Sequence, residues 1–258
     1  MAGGLIEGFQ KLFKGKNVAQ KHLFLFGLAT AAFLFEMIGK EQNITLAFFT
    51  GLGAFVVQIL VGLYYLHFTH NAVKFCIYRD REENIQKVKA IQIMPELNLN
   101  LFAHFWSWIG FGLLWFLIML AVVIVIGLFM IIPIVSLFAY LALIVLSVCI
   151  AFTYPIILAG FAESYQIKGN VSLVLLFSYL PKVFIPMLLL SLKVALIMLP
   201  FAGIIFLFFT MGLFTSMNEL LLYVLGAIFT YICYLLSFSC AYEVANIYYD
   251  KIKLNEEI

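Results

Sequence analysis

Few side chains in this sequence could do chemistry, and five stand out. Lys193 lies in LLLSLKVALIMLP, residues 188 to 200, an apolar run with no acidic residue near it in sequence. A lone ammonium among apolar residues is costly in a bilayer, and when held inside a helix bundle it marks an ion, proton or substrate path. Two carboxylates could pair with it there: Glu163 in AGFAESYQIKG and Glu243 in SCAYEVANIYYDK, each where an apolar run ends. His67 and His70, in YYLHFTHN, are three residues apart and so share a helix face, and His104 follows later in the chain. Three imidazoles at one depth could hold a metal ion, but membrane oxidases and desaturases that do so gather more ligands than are available here.

Each candidate also has a plainer role. Glu163 and Glu243 read as hydrated helix ends, and the histidines as interfacial side chains beside headgroups. Glu36 and Lys40, four apart, read as an ordinary helical ion pair. The sequence contains no GxSxG, HExxH or Walker A motif, no carboxylate cluster in adjacent apolar runs, and no polar stretch large enough for a catalytic domain. No catalytic residue, cofactor or metal site is therefore assigned, and the expected protein is not an enzyme.

The elements that must position these residues are helices in a membrane. Of 258 residues 65% are hydrophobic and 11% charged, with 28 Phe and 13 Tyr, and mean hydropathy is +1.11. Apolar runs of roughly 20 residues, enough to cross a core of about 30 Å, recur along the chain. Lipid leaves backbone amides unpaired in anything but a helix or a closed barrel, and barrel strands would alternate where these runs are continuous. The expected fold class is an all-α integral membrane protein.

Six spans are expected at about 22–38, 45–69, 107–131, 134–160, 190–213 and 219–244, forming three hairpins of a single domain over 22–250. The run from Ser107 to Gly160 would reach about 80 Å as one helix, so it must fold back, with Pro133 in MIIPIV at the turn. The remaining hairpin turns are GKEQNI and TSMN.

Basic residues set the orientation. Lys11, Lys14, Lys16 and Lys21 precede the first span, and Lys74, Arg79, Arg81, Lys87 and Lys89 lie in the charged loop 70–106. Lys168 and Lys182 lie in the next loop on that side, and Lys251 and Lys253 in the tail 251–258, against Lys40 alone on the other side. Both termini are thus expected in the cytoplasm, with the chain in the inner membrane of the cell.

Length also tests Lys193. From Val183 to Leu213 there are 31 residues, about 46 Å of helix, some ten residues more than a span needs. With Pro181 and Pro186 to break off the excess, span five is expected to start near Ser191, with Lys193 snorkelling at its edge and residues 171–186 forming an interfacial or re-entrant segment. The alternative keeps Lys193 inside the bundle, paired with Glu243 or Glu163.

The N-terminal residues 1–21 lack a signal-peptide pattern. Leu5, Ile6, Phe9, Leu12 and Phe13 fall on one face of a short cytoplasmic amphipathic helix expected in the headgroup region, with Lys11, Lys14 and Lys16 elsewhere. In the loop, Ile85, Val88 and Ile91 at helical spacing suit a surface helix ended by Pro95, or a solvated linker. Trp106 and Trp108 suit an aromatic belt, and Gly51, Gly53, Gly110 and Gly112 suit close helix approach. Cys76, Cys149, Cys233 and Cys240 form no CxxC and read as unpaired structural thiols.

A family resemblance rests on an ordered set of segments: LYYLHFTHNAVKF, a charged stretch reaching MPELN, NLFAHFWSWIGFGLLWFLI, YPIILAGFAESYQIKGNVSL, and a last span closing FSCAYEVANIYYD. Over about residues 45–250 the chain resembles the multi-spanning prokaryotic membrane proteins grouped as domain of unknown function 4013. The resemblance implies a helical membrane fold and a prokaryotic cell, and it carries no activity.

The expected function is a non-enzymatic subunit, scaffold or accessory of a membrane complex. Its partners would be membrane lipids and other membrane proteins reached through the cytoplasmic loops. The alternative is a transporter or channel for a small or lipid-like solute. No stripe of basic and aromatic residues suits nucleic acid.

Overall fold

The structure is a computed structural model and describes residues 3–39, 44–79, 91–210 and 219–254. Lys40, the side chain of Glu36, the loop residues around Arg81, Ile85, Lys87, Val88 and Lys89, the turn TSMN and the last residues of the tail lie outside the described residues.

Among the described residues seven helices follow one another: α1 (Gly3–Leu12), α2 (Val18–Ile38), α3 (Ile44–Arg79), α4 (Phe105–Phe129), α5 (Pro133–Ser164), α6 (Leu173–Thr210) and α7 (Glu219–Tyr248). A 3-10 turn, Leu99–Phe102, precedes α4, and a π turn, Tyr249–Lys253, extends α7. The last six helices are each long and apolar enough to cross a membrane. The chain is an all-α multi-pass membrane protein, and no strand occurs among the described residues.

Local chemistry sets the hairpin turn and the end of α5. Pro133 is the first residue of α5, where its missing N–H costs nothing, and Ile132 before it is extended (φ −93°, ψ 114°). The helix stops at Tyr165, which is left-handed at φ 55°, and Gly169 follows at φ 90°. An aromatic residue in that region is strained, so something must hold Tyr165 there.

Burial is concentrated at one end of the bundle, the end that carries Lys11, Arg79, Lys168 and Lys253 and is called the basic end below. In α3 the buried positions Tyr64, Phe68, Ala72, Val73, Phe75 and Cys76 continue at helical spacing well past residue 69. This is why the helix runs ten residues beyond the expected span end. They meet Phe238, Ala241, Tyr242 and Ala245 of α7, with the Phe238 ring 5.6 Å from Tyr64 and 5.2 Å from Phe68. Away from this end, Phe48, Phe49 and Phe55 of α3 and Phe116, Ile124 and Phe129 of α4 are exposed, a surface suited to lipid chains. In lipid, close packing and hydrogen bonds between helices matter more than removing apolar area from water, so the ties at the basic end hold the bundle.

Two expectations change. The break before span five is not there. Leu173–Thr210 is one helix of 38 residues containing Pro181, Pro186 and Pro200, about 57 Å long against a core of about 30 Å. Its first half packs on its neighbours instead of separating: Phe184 meets Phe152 of α5 at 5.1 Å, and Val183, Met187 and Leu190 are buried in the same core as Phe238. The N-terminal helix also forms, but it is seated on α7 rather than resting in the headgroups alone. Leu5 and Leu12 are buried, while Ile6, Phe9 and Phe13 remain exposed.

Candidate functional site

The five candidate residues all lie toward the basic end, and each ties one element to another. Lys193 of α6 pairs with Glu243 of α7, Nζ to Oε1 3.3 Å, with side-chain exposures of 33% and 12%. The expected pairing with Glu243 is thus present, and a third of the Lys193 side chain remains exposed. Glu163 takes different partners: Lys253 at 3.1 Å, and the Tyr248 hydroxyl, which donates to Oε2 at 2.7 Å. Neither carboxylate is the hydrated helix end expected, because the chain segments beyond and beside them fold back and supply cations and hydroxyls.

His67 sits between two acceptor and donor groups. The Leu101 carbonyl can only accept, so Nε2–H donates to it (3.0 Å), which leaves Nδ1 to accept from the Tyr165 hydroxyl (3.1 Å). His70 Nδ1 donates to the Ala162 carbonyl at 2.5 Å, tying α3 to α5. The Tyr165 ring stacks on His104 at 3.7 Å and lies 4.6 Å from His70. These contacts hold Tyr165 in its left-handed conformation. His67 and His104 rings are 6.1 Å apart, and both His67 nitrogens are engaged, so this cluster is a structural pin. Among the described residues no group of three or more His, Cys, Asp or Glu is placed to hold a metal ion, and Cys76, Cys149, Cys233 and Cys240 form no disulfide.

Three ties were not legible in the sequence. Lys21, which reads as an orientation charge, is 3% exposed, and its ammonium donates to the Met94 carbonyl at 2.9 Å and Gln92 Oε1 at 3.3 Å. Asn71 donates to the Gln92 carbonyl at 3.0 Å and the Tyr64 hydroxyl to the Pro95 carbonyl at 3.3 Å. The segment 92–95 is therefore a plug seated in the bundle, with Ile93 and Met94 buried. Asn246 of α7 accepts from both Arg79 (3.2 Å) and the Cys76 thiol (3.1 Å).

The third tie is α1, which approaches α7 through Gly4 and Gly8. A Cβ at Gly4 would overlap the Glu243 carboxylate, and one at Gly8 would meet the Ser239 carbonyl at 2.9 Å. The four-residue spacing of two glycines was the available signal. Tyr242 donates to Glu7 at 2.8 Å, and the Lys11 ammonium lies 4.0 Å over the Phe75 ring and 3.9 Å from Glu7. Burial pushes the Lys11 ammonium below its usual range more than Glu7 offsets, a sign of how closely α1 is seated. Of the glycines expected at helix contacts, Gly53 faces the Phe35 ring and Gly110 meets Ile167, whereas Gly51 and Gly112 face open space. Trp106 is 79% exposed, as a belt residue would be, and Trp108 packs on Gly62.

Three hollows lie between the helices. One of 410 Å³ lies between α1, α6 and α7. Two others, of 390 and 570 Å³, share Gln58 and Tyr234 as wall residues. The Tyr234 hydroxyl is the only buried side-chain oxygen or nitrogen without a hydrogen-bond partner among the described residues.

Compared with protein-family models, curated proteins and solved structures, the chain matches none.

Proposed function

We propose that the chain is a non-enzymatic subunit, scaffold or accessory of a membrane complex, with its basic end as the partner surface. The observation that carries this reading is that Lys193, Glu163, Glu243, His67 and His70 all take part in ties between elements. Side chains used in this way stiffen a surface, and a stiff surface loses little freedom when it is bound. The basic residues at that end support a cytoplasmic position for it, and so an inner-membrane chain with both termini inside. The resemblance to the domain of unknown function 4013 proteins belongs to the same proposal. Pro95, Ala162 and Tyr248, in segments that carry it, each take part in a tie at the basic end.

Gentle purification from the native membrane, with cross-linking through Lys168 and Lys251, tests the role. One recurrent protein attached through those residues is the expected result, and a monodisperse chain with no attached protein overturns it. Labelling of single cysteines placed at the two termini tests the orientation, which fails if the termini label from opposite faces.

A second reading, movement of a small or lipid-like solute, is favoured by the two hollows that meet at Gln58 and Tyr234. Loss of solute flux in Tyr234→Trp vesicles, with the fold intact, is what it requires.

A further inference from the structure

The hollow between α1, α6 and α7 has a defined polarity. Leu5, Ile6 and Phe9 of α1, Ile197 and Phe201 of α6 and Leu236 of α7 line it, and its lining is almost wholly apolar. Its volume of 410 Å³ falls within the range of about 300–1,000 Å³ usual for ligand sites. At its basic end stands the Lys193–Glu243 pair: Ile197 is one turn along α6 from Lys193, and the lining residue Ser239 is one turn along α7 from Glu243.

In that pair the cation belongs to the more exposed side chain. The Lys193 side chain is 33% exposed and that of Glu243 only 12%, and Gly4 of α1 lies against the carboxylate. Of the two charges at this end of the groove, the positive one is therefore on the side chain nearer to a bound headgroup. Depth agrees with this. From Val194 to Thr210 α6 carries no charge, and those 17 residues span about 25 Å. With Thr210 near the far boundary of a hydrocarbon core of about 30 Å, that length puts Lys193 close to the headgroups of the basic end.

We propose that this groove holds one acyl chain of a phospholipid from the leaflet at the basic end, with the phosphate diester on the Lys193 ammonium. A phosphate oxygen accepts a charge-assisted hydrogen bond from Nζ, and the chain follows α6 past Ile197 toward Phe201. The bilayer supplies this ligand at far higher concentration than any soluble phosphate. The fit is specific because a cation at one end and hydrocarbon along the rest match the two parts of one molecule.

The test uses the full chain, stripped of lipid in mild detergent and titrated with phosphatidylglycerol, with native mass spectrometry reading the bound lipid. Wild type is expected to retain one phospholipid per chain. Lys193→Ala should weaken retention about tenfold, while Lys193→Arg keeps most of it. Ile197→Trp, which fills the groove and leaves the charge, should also release the lipid. Glu243→Gln separates the two roles of Lys193: it removes the negative charge beside the ammonium and should strengthen retention.

A parallel loss in Lys193→Ala and Glu243→Gln would mean that the pair only joins α6 to α7, and would overturn the proposal. So would Lys193→Ala holding lipid as tightly as wild type. Displacement of the lipid by sn-glycerol 3-phosphate alone would identify a soluble-phosphate site, and the proposal would fail on that result too.

Discussion

Lys193 Nζ lies 3.3 Å from Glu243 Oε1, and the carboxylate it meets is also the group that a Cβ on Gly4 would overlap. Three helices, α1, α6 and α7, thus converge on one ion pair. The carboxylate is the more buried partner, so the two single losses are not equivalent. An unpaired buried charge costs more than an unpaired one that can reach solvent.

Lys193→Met leaves Glu243 desolvated without its cation and should cost about 1–3 kcal/mol, whereas Glu243→Gln leaves a lysine that can turn outward and should cost about 1 kcal/mol or less. The double variant should be more stable than the sum of the two losses predicts, by about 0.5–2 kcal/mol. Thermal unfolding of the three variants in one detergent measures this. Strictly additive losses would show that the two side chains do not interact.

The seating of α1 depends on the missing side chain at Gly8. Gly8→Ala puts a methyl group 2.9 Å from the Ser239 carbonyl, which is backbone and cannot move aside, so a loss of about 1–3 kcal/mol is expected from overpacking. Gly27→Ala, where nothing lies within 4 Å, serves as the control and should stay within about 0.5 kcal/mol of wild type. Limited proteolysis gives the local readout: cleavage after Lys11 and Lys14 should quicken in Gly8→Ala and not in Gly27→Ala. Equal cleavage in both would mean that α1 is not held on α7.

Tyr165 sets a conformational cost against packing. Glycine there would relieve a left-handed strain of about 1–2 kcal/mol, but it would remove a ring stacked on His104 and a hydroxyl bonded to His67, a loss of about 3–5 kcal/mol by analogy with removing a buried aromatic. Packing wins, so Tyr165→Gly should be destabilised by about 1–4 kcal/mol on balance. Tyr165→Phe, which deletes only the hydroxyl bond, should lose about 1 kcal/mol. A glycine variant more stable than wild type in a melting experiment would remove Tyr165 as the pin of the α5 end.

How much of this was legible follows from range in sequence. The six long helices were, because a continuous apolar run is a local signal, and so was the turn at Pro133. The choice of Glu243 over Glu163 for Lys193 was not, since it depends on how α6 lies across α5 and α7. The continuity of α6 was hidden by three prolines, which permit a break without requiring one when neighbouring helices hold both sides. Lys21 misled for a different reason: a basic residue at the start of a span reads as an orientation signal, and only the return of residues 92–95, some 70 positions later, turns it into a buried tie.

That tie yields the last prediction. Lys21 is 3% exposed and supplies the donor for the Met94 carbonyl, which would otherwise be a buried acceptor without a partner. Lys21→Met keeps the length and apolar stem of the side chain but removes the donor, so the loss should be the cost of an unsatisfied buried group, about 1–3 kcal/mol. Because Asn71 and Tyr64 still hold Gln92 and Pro95, the plug should loosen rather than leave. Hydrogen exchange should therefore rise across residues 91–98 in Lys21→Met while the amides of α5 keep their protection. Unchanged exchange in that segment would mean that the lysine does not secure it, and a uniform rise through the bundle would mean that the variant acts on the whole fold.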